Sequence, residues 1–318
     1  MGESPVTEVR PEAPGFPSRR LALSTAAFSA ATGLSRVLGL VREIVVRGFF
    51  GVEGAGINAF TVAFQVPNLV RALVADAALT GAFVPVFTEL LEKGERARAW
   101  RVASSLIWIL LLGLTAITAL FMLAAPWIMS AFGYGGDELA VTLARFLFPI
   151  VILLGISGVI VGILNRYEHF SIPALTPVAW NLVIIAGLVI GVPQATSENA
   201  ELYVYAGSIV LGTVVQLLLP LPWLAGLDGR LRVAIDWRDP AVKRIFVLML
   251  PVTLGLGLIN FAAVIGTFFA ARFIDPDLSP SAIDAAFRIY MLPQGMFSVA
   301  VATVLFPALA RLAARNDL

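Results

Sequence analysis

Three arginines and two acids stand inside the first two apolar segments of this 318-residue chain: Arg36, Arg42 and Glu43 in the first, Arg71 and Asp76 in the second. Placing an arginine mid-helix in a bilayer costs roughly 2.5–3.5 kcal/mol on insertion scales, so several in one helix pair mark a polar interior that uses their charge. Guanidinium groups grip phosphate and pyrophosphate oxygens bidentately, and more strongly where the dielectric is low. These residue types therefore point to handling of an anion within a membrane. Arg36 and Arg42 lie six residues apart, which separates them by about 120° around a helix and about 9 Å along it, at two depths of one broad cavity. Glu43 and Arg47 have the i,i+4 spacing of an ion pair, which makes Arg47 a partnered interfacial residue. Arg71 and Asp76 are too far around their helix to pair with each other, and each is expected to meet a charge on the first helix. Arg288 adds a fourth arginine in a later segment, with Asp284 one turn away. The competing expectation is a salt-bridge network that only fixes helix packing; the surplus of arginine over acid weighs against it.

The elements that position these charges are legible from composition. Hydrophobic residues make up 59% and charged residues 14% of the chain, against roughly 45–50% and 25% in soluble domains. Charge-free runs cover 102–136, 146–165, 170–197, 202–227, 245–271 and 289–310. Each is long enough for the roughly 20 residues that carry a helix across about 30 Å of hydrocarbon. With the charged pair at 22–50 and 55–90 they predict an all-α polytopic membrane protein of about eight transmembrane helices. Lipid-exposed backbone satisfies its amides only as helix or closed barrel, and the long continuous apolar runs exclude the barrel.

Lysine and arginine set the expected orientation. Fifteen of the 22 basic residues fall on the N-terminal side or in alternate connections, among them Arg10, Arg19, Lys93, Arg98, Arg166, Arg230, Arg238, Lys243 and Arg311. The opposite connections hold Arg47 and Arg272, so both termini are expected in the cytoplasm. A net charge of +1 hides this asymmetry. Residues 1–21, rich in proline and acids, read as a disordered cytoplasmic tail. The first apolar segment is too long and too charged for a cleaved signal peptide.

Weaker features take plainer readings. His169, the single histidine, lies in a short connection as a headgroup-level polar residue, and Trp127, Trp180, Trp223 and Trp237 fall near span ends as interfacial anchors. Gly33 and Gly39 with Ser29 and Ser35 form a small face suited to close helix packing. Prolines 126, 149, 251 and 293 kink helices or mark their ends. There is no cysteine, no phosphate loop, no histidine cluster and no metal-spaced carboxylate pair, so neither an enzyme, a cofactor, a metal nor nucleic-acid binding is implied.

An internal repeat is visible: Ile57-Asn58-Ala59 with Pro67, and Ile283-Asp284-Ala285 with Pro293, at a constant offset of 226. Duplicated helical bundles with substrate at their interface are common in transporters. On that division residues 22–227 form one six-helix lobe, and residues 228–318 supply a cytoplasmic linker and the first two helices of a second. The expectation is then a piece of a longer transporter, or assembly of two copies.

At these same positions the sequence resembles a family. Ser35-Arg36-Val37-Leu38-Gly39-Leu40-Val41-Arg42-Glu43, Ala59-Phe60, Pro67-Asn68-Leu69-Val70-Arg71, Ala82-Phe83-Val84-Pro85, Asn165-Arg166 and Phe170-Ser171-Ile172-Pro173-Ala174 are similar to the MurJ/MviN-type lipid II flippases, a likeness that extends to Arg288. The resemblance implies a bacterial plasma-membrane transporter that moves undecaprenyl-pyrophosphate-linked peptidoglycan precursor, lipid II, to the outer leaflet by alternating access. It implies substrate contacts from Arg36, Arg42, Arg71 and Arg288, with Ser35, Gly39, Glu43, Asn58 and Asp76 shaping cavity electrostatics or gating. Implied partners are that lipid, membrane lipids and cell-wall synthesis proteins. Asn58 departs from the family's frequent aspartate, Asp76-Ala77 from its usual Glu-Gly, and Met291 from an acid, which leaves the arginines less neutralised. Two alternatives stay open: export of another lipid-linked oligosaccharide or a drug, and a non-transporting scaffold of cell-wall synthesis.

Overall fold

The computed structural model describes residues 19–73 and 78–289, and every regular element among them is helical. The chain runs through α1 (Arg19–Phe50), α2 (Ala55–Arg71), a π-helical turn (Ala78–Phe83) leading into α3 (Val84–Glu92), α4 (Arg96–Ala131), α5 (Glu138–Leu147) and α6 (Ile150–Arg166). It continues through α7 (Ser171–Ala186), α8 (Glu198–Leu218), the single turn α9 (Leu221–Leu224), α10 (Pro240–Phe269) and α11, which occupies 279–289 at the edge of the described residues.

These helices occupy the segments that the charge-free runs mark. Four helical runs, Arg96–Ala131, Glu138–Arg166, Ser171–Gln194 and Glu198–Leu224, are long and apolar enough to cross a membrane, and the bent pair Pro240–Gly255 with Asn260–Ile274 makes a fifth. The 32 residues of α1 carry Arg36, Arg42, Glu43 and Arg47 in the second half. The second segment is divided between α2 and α3, with 74–77 outside the described residues, as is the eighth beyond 289. Asp76 and Pro293 are therefore outside them too. The chain is a multi-pass membrane protein of all-α architecture.

Burial identifies the central helix. Two thirds of the apolar window in the α5–α6 run is inside the protein (67%), whereas α4 buries 22% and turns the rest outward. The α6 sequence explains this. Gly155, Gly158 and Gly162 with Ser157 strip one side of bulk, as close helix approach in a bilayer requires. A Cβ on Gly162 would stand 2.8 Å from Phe83 Cδ1. The π-helical turn therefore lies directly on α6. Pro149 marks the α5–α6 break, while Pro126, Pro177 and Pro251 are absorbed inside α4, α7 and α10. Asp137 caps α5 by accepting from the Leu139 and Ala140 amides at 2.9 and 3.2 Å, which satisfies two of that helix's unpaired N–H groups.

Around this hub α1 packs on α7, α7 on α8, α2 on α5, and α10 on the π-helical turn. The expected tight packing at Gly33 and Gly39 is not found: a Cβ at either would meet nothing within 4 Å. Close approach is made instead between α7 and α8. A Cβ on Gly187, just past the end of α7, would collide with the Ser208 hydroxyl, and one on Gly212 would press the Trp180 ring at 3.1 Å. Gly39 is thus left free to line a cavity.

Candidate functional site

Two connected cavities open among α1, α2, α10 and α11, with α6, α7 and α8 closing the inner side. The larger, of about 750 Å³, takes Arg36, Gly39 and Asn260 into its wall; the smaller, of about 480 Å³, takes Arg71, Trp180 and Tyr205. Arg42, Glu43, Arg47, Gln65, Asn68, Asp284 and Arg288 belong to both and form the partition. All four arginines expected to contact substrate are thus gathered here, with Glu43 and Gly39. Asn58 and Ser35 line neither cavity.

The partition is a ladder of alternating charge. Arg42 Nη2 meets Glu43 Oε1 at 2.7 Å, and Arg288 Nη1 meets the same oxygen at 3.1 Å. Arg288 Nε then donates to Asp284 Oδ2 at 2.8 Å, and Arg47 Nη2 approaches that oxygen at 3.2 Å. The Glu43–Arg47 pair expected from i,i+4 spacing does not form. Arg47 reaches across to Asp284, 237 residues away, because Glu43 is already shared by Arg42 and Arg288. Among the described residues, five arginines and two carboxylates line the two cavities. Arg71 Nε donates to Asn68 Oδ1 at 3.1 Å on its own helix.

Arg42 is the most enclosed of these cations, 7% exposed. Its guanidinium lies 4.8 Å from the Trp180 ring centroid, a cation–π contact that gains strength when desolvated. Trp180 is held by Nε1 donating to Thr213 Oγ1 at 3.2 Å, so it is a cavity wall and not the membrane-interface anchor its place in the sequence suggests. Arg42 Nε and Arg47 Nε are buried donors without a hydrogen-bond partner. Buried unpaired donors are costly, and a bound oxyanion would satisfy them. Glu43→Gln is expected to set Arg42 against Arg288 and lower the melting temperature in detergent. Millimolar inorganic pyrophosphate should restore more of that loss than equimolar chloride, read by intrinsic fluorescence.

The Arg47 end of the cavity is shut by a latch. Asn58, fully buried, donates through Nδ2 to the carbonyls of Val52, Gly54 and Asp277 at 3.1, 2.9 and 2.5 Å. Its Oδ1 accepts the Ser281 amide at 2.8 Å. Thr61 Oγ1 and Ser281 Oγ stand 3.0 Å apart, and the Gly54 amide donates to Asp277 O at 2.9 Å. The buried Tyr134 phenol donates to Pro276 O at 2.5 Å; burial, with Asp277 nearby, pushes its ionisation well up, so it remains a donor. The two positions that the repeat sets equivalent differ in role: Asn58 is a structural clasp and Asp284 a cavity charge. Asn58→Leu removes all four bonds and is expected to cost about 2–4 kcal/mol, read as a lower thermal midpoint and faster amide exchange at 52–54 and 277–281.

Arg47, Gln65, Asn68, Trp180 and Asn260 were not singled out as site residues by sequence. Gln65, Asn68 and Asn260 share one available signal, a carboxamide inside an otherwise apolar segment.

A family model described as "Lipid II flippase MurJ" matches residues 48–318. A relative named lipid II flippase MurJ from Burkholderia cenocepacia is 31% identical over 293 residues, covering 89% of this chain and 56% of that protein. A probable lipid II flippase MurJ from Vibrio cholerae is 34% identical over 307 residues, covering 92% and 57%. The chain thus spans just over half the length of these relatives. Among solved structures, a lipid II flippase MurJ in an inward closed conformation shares the fold at a TM-score of 0.69 with 22% identity, covering 91% of this chain and 59% of that one. An inward-facing multidrug-resistance MATE transporter of the MOP superfamily aligns at 0.61 with 21% identity, covering 86% and 61%. With a family model matched over most of the chain, Arg71 and Arg288 of the cavities among the matched residues, the chain belongs to the MurJ lipid II flippase family.

Proposed function

We propose that this chain carries the pyrophosphate-bearing head of lipid II across a bacterial plasma membrane by alternating access, with both of its termini in the cytoplasm. The observation that carries the reading is the cavity pair in which, among the described residues, five arginines face two carboxylates while two buried guanidinium Nε donors lack partners. Arg42 and Arg288 sit at the partition and take the pyrophosphate oxygens; Arg36 and Arg71 extend the positive field into the two chambers. The lipid tail stays in the bilayer. Residues 22–227 act as one lobe and residues 228–318 as the start of another, moving against it about the latch. With the termini in the cytoplasm, the clasped end would face outward, so loading would occur from the cytoplasmic side and release would need the Asn58 and Ser281 contacts to part. Glu43 and Asp284 hold the arginines apart when the cavity is empty and compete weakly once the diphosphate arrives.

Any pyrophosphate-linked saccharide lipid presents the same anion, so headgroup preference is decided by the carboxamides Gln65, Asn68 and Asn260. Excess positive charge disfavours cationic drugs. The test is accumulation of lipid II in the outer leaflet of cells depleted of their own flippase and supplied with this chain, with insertion verified. Restored outer-leaflet labelling supports transport. Insertion without labelling, together with failure of the purified chain to bind lipid II, rejects the reading in favour of a scaffold role.

A further inference from the structure

Residues 225–239 connect α9 to α10 without regular secondary structure, yet one side of this strap is fully engaged. Asp228 Oδ1 accepts from Trp100 Nε1 at 3.2 Å and from the Tyr167 hydroxyl, and its second oxygen meets Arg96 Nε at 3.4 Å. The Arg232 amide donates to Ser104 Oγ at 3.1 Å, and its carbonyl accepts from Trp108 Nε1 at 3.2 Å. The Asp236 amide donates to Ser105 Oγ at 3.0 Å, and Arg98 bridges both oxygens of Asp239 at 3.0 Å each. Gly229 passes so close over Trp100 that an added Cβ would fall inside its ring. The Tyr167 hydrogen bond lowers the Asp228 carboxyl and the Arg98 bridge lowers that of Asp239, so both stay anionic through neutral pH.

The other side is turned outward, where the Arg238 guanidinium lies 5.2 Å from the Trp237 ring centroid. Val233, Ile235 and Trp237 are 80%, 51% and 61% exposed, while Ala234 and Asp236 between them are half-buried. This is the two-residue alternation of an extended chain. Arg230, Arg232 and Arg238 are exposed, and no salt bridge to them is found among the described residues; Arg101 and Lys243 beside them are in the same condition. Within the strap Asp236 is the acid left to offset them, because Asp228 and Asp239 are already committed. The strap lies on α4 between Arg96 and Trp108, and the charge-free run of that helix begins at residue 102. It therefore sits at the boundary between headgroups and hydrocarbon, where tryptophan with flanking cations is favoured.

We propose that the strap is a docking site for anionic phospholipid headgroups: Arg230, Arg232 and Arg238 take the phosphates, and Val233, Ile235 and Trp237 enter the leaflet boundary. Because its inner side is bonded to α4 and its end continues into α10 through the Asp239 cap, whose carboxylate accepts from the Ala241 amide at 2.7 Å, bound lipid ties the inter-lobe connection to one leaflet. The proposal is independent of what the cavities carry.

The purified full chain in neutral detergent is titrated with phosphatidylglycerol brominated on its acyl chains, and separately with brominated phosphatidylcholine, while tryptophan fluorescence is read. The Trp237→Phe variant isolates the share of Trp237 from the other five tryptophans. Each arginine near an anionic surface contributes about fivefold in affinity. Brominated phosphatidylglycerol is expected to quench the Trp237 share at least tenfold more effectively than phosphatidylcholine. The combined R230Q/R232Q/R238Q variant should abolish that preference, while R272Q, at the opposite end of α10, should preserve it. Equal quenching by the two lipids, no Trp237 share, or an unaltered preference in the triple variant would each overturn the proposal. Circular dichroism and a retained melting transition confirm that the triple variant, altered at exposed positions, is folded.

Discussion

Arg42→Ala is expected to weaken binding of lipid II to the purified chain on the order of a hundredfold, corresponding to about 3 kcal/mol. The size follows from its surroundings. Arg42 is 7% exposed, stacked on Trp180 at 4.8 Å and bonded to Glu43 at 2.7 Å. Its charge is held in place before any ligand arrives, so little ordering remains to be done on binding. Truncation removes a charge-assisted donor and also leaves Glu43 facing Arg288 alone, which draws Arg288 away from the ligand. Arg42→Lys is expected to recover a small part of the loss, because a point charge cannot make the forked contact or lie flat on the indole. Arg36→Ala, at an exposed position with no salt bridge among the described residues, should cost less than tenfold. Isothermal titration in detergent against lipid II and against its dephosphorylated counterpart reads all three variants.

Joining the latch covalently is expected to abolish transport while leaving binding intact. The Thr61 and Ser281 hydroxyls are 3.0 Å apart, so cysteines at both positions put their sulfurs within easy reach of the roughly 2.05 Å bond. The chain has no cysteine of its own, which makes T61C/S281C specific without further substitution. Under oxidation the latch stays closed: outer-leaflet lipid II is expected to fall to the level of uncomplemented cells, and lipid II affinity of the purified chain to change less than threefold. Reduction restores transport. Each single cysteine variant, unable to cross-link, serves as the control, and its residual activity also reports whether the lost hydroxyl matters. Persistent transport with the bond formed would show that the two ends of α2 and α11 need not separate.

Much of this was readable before any coordinates. Charge-free runs locate the helices because a bilayer permits few alternatives to a satisfied helical backbone. Arginines inside such segments announce a polar interior because their cost demands a use. What sequence does not supply is pairing. The spacing of Glu43 and Arg47 suits an ion pair, but a local pair competes with tertiary partners, and Arg288, brought against α1 by the fold, takes Glu43 instead. Trp180 shows the same limit. Its proximity to a predicted span end suggested the interface, yet α7 turns it inward against Arg42, and only the α7–α8 approach at Gly212 explains its rigidity. Asn58 was legible as part of the repeat and as a position that the family resemblance ties to gating. Its four bonds were not, since all four partners are backbone groups and two of the partner residues lie more than 200 positions away. The strap was the least legible feature. Its segment reads as a short charged connection, and its meaning appears only once Asp228 and Asp239 are seen to face α4 and leave the arginines outside.

The central claim is that the partition between the two cavities grips a diphosphate, and its most direct test is a competition measurement on the purified chain. Fluorescent lipid II is bound to the parent, and undecaprenyl pyrophosphate, undecaprenyl monophosphate and undecaprenol are each titrated against it, in the parent and in Arg42→Ala. The account predicts displacement in the order pyrophosphate, monophosphate, alcohol, with at least tenfold between the first two, and collapse of that order in the variant. Equal displacement by all three lipids, or an order untouched by loss of Arg42, would contradict it.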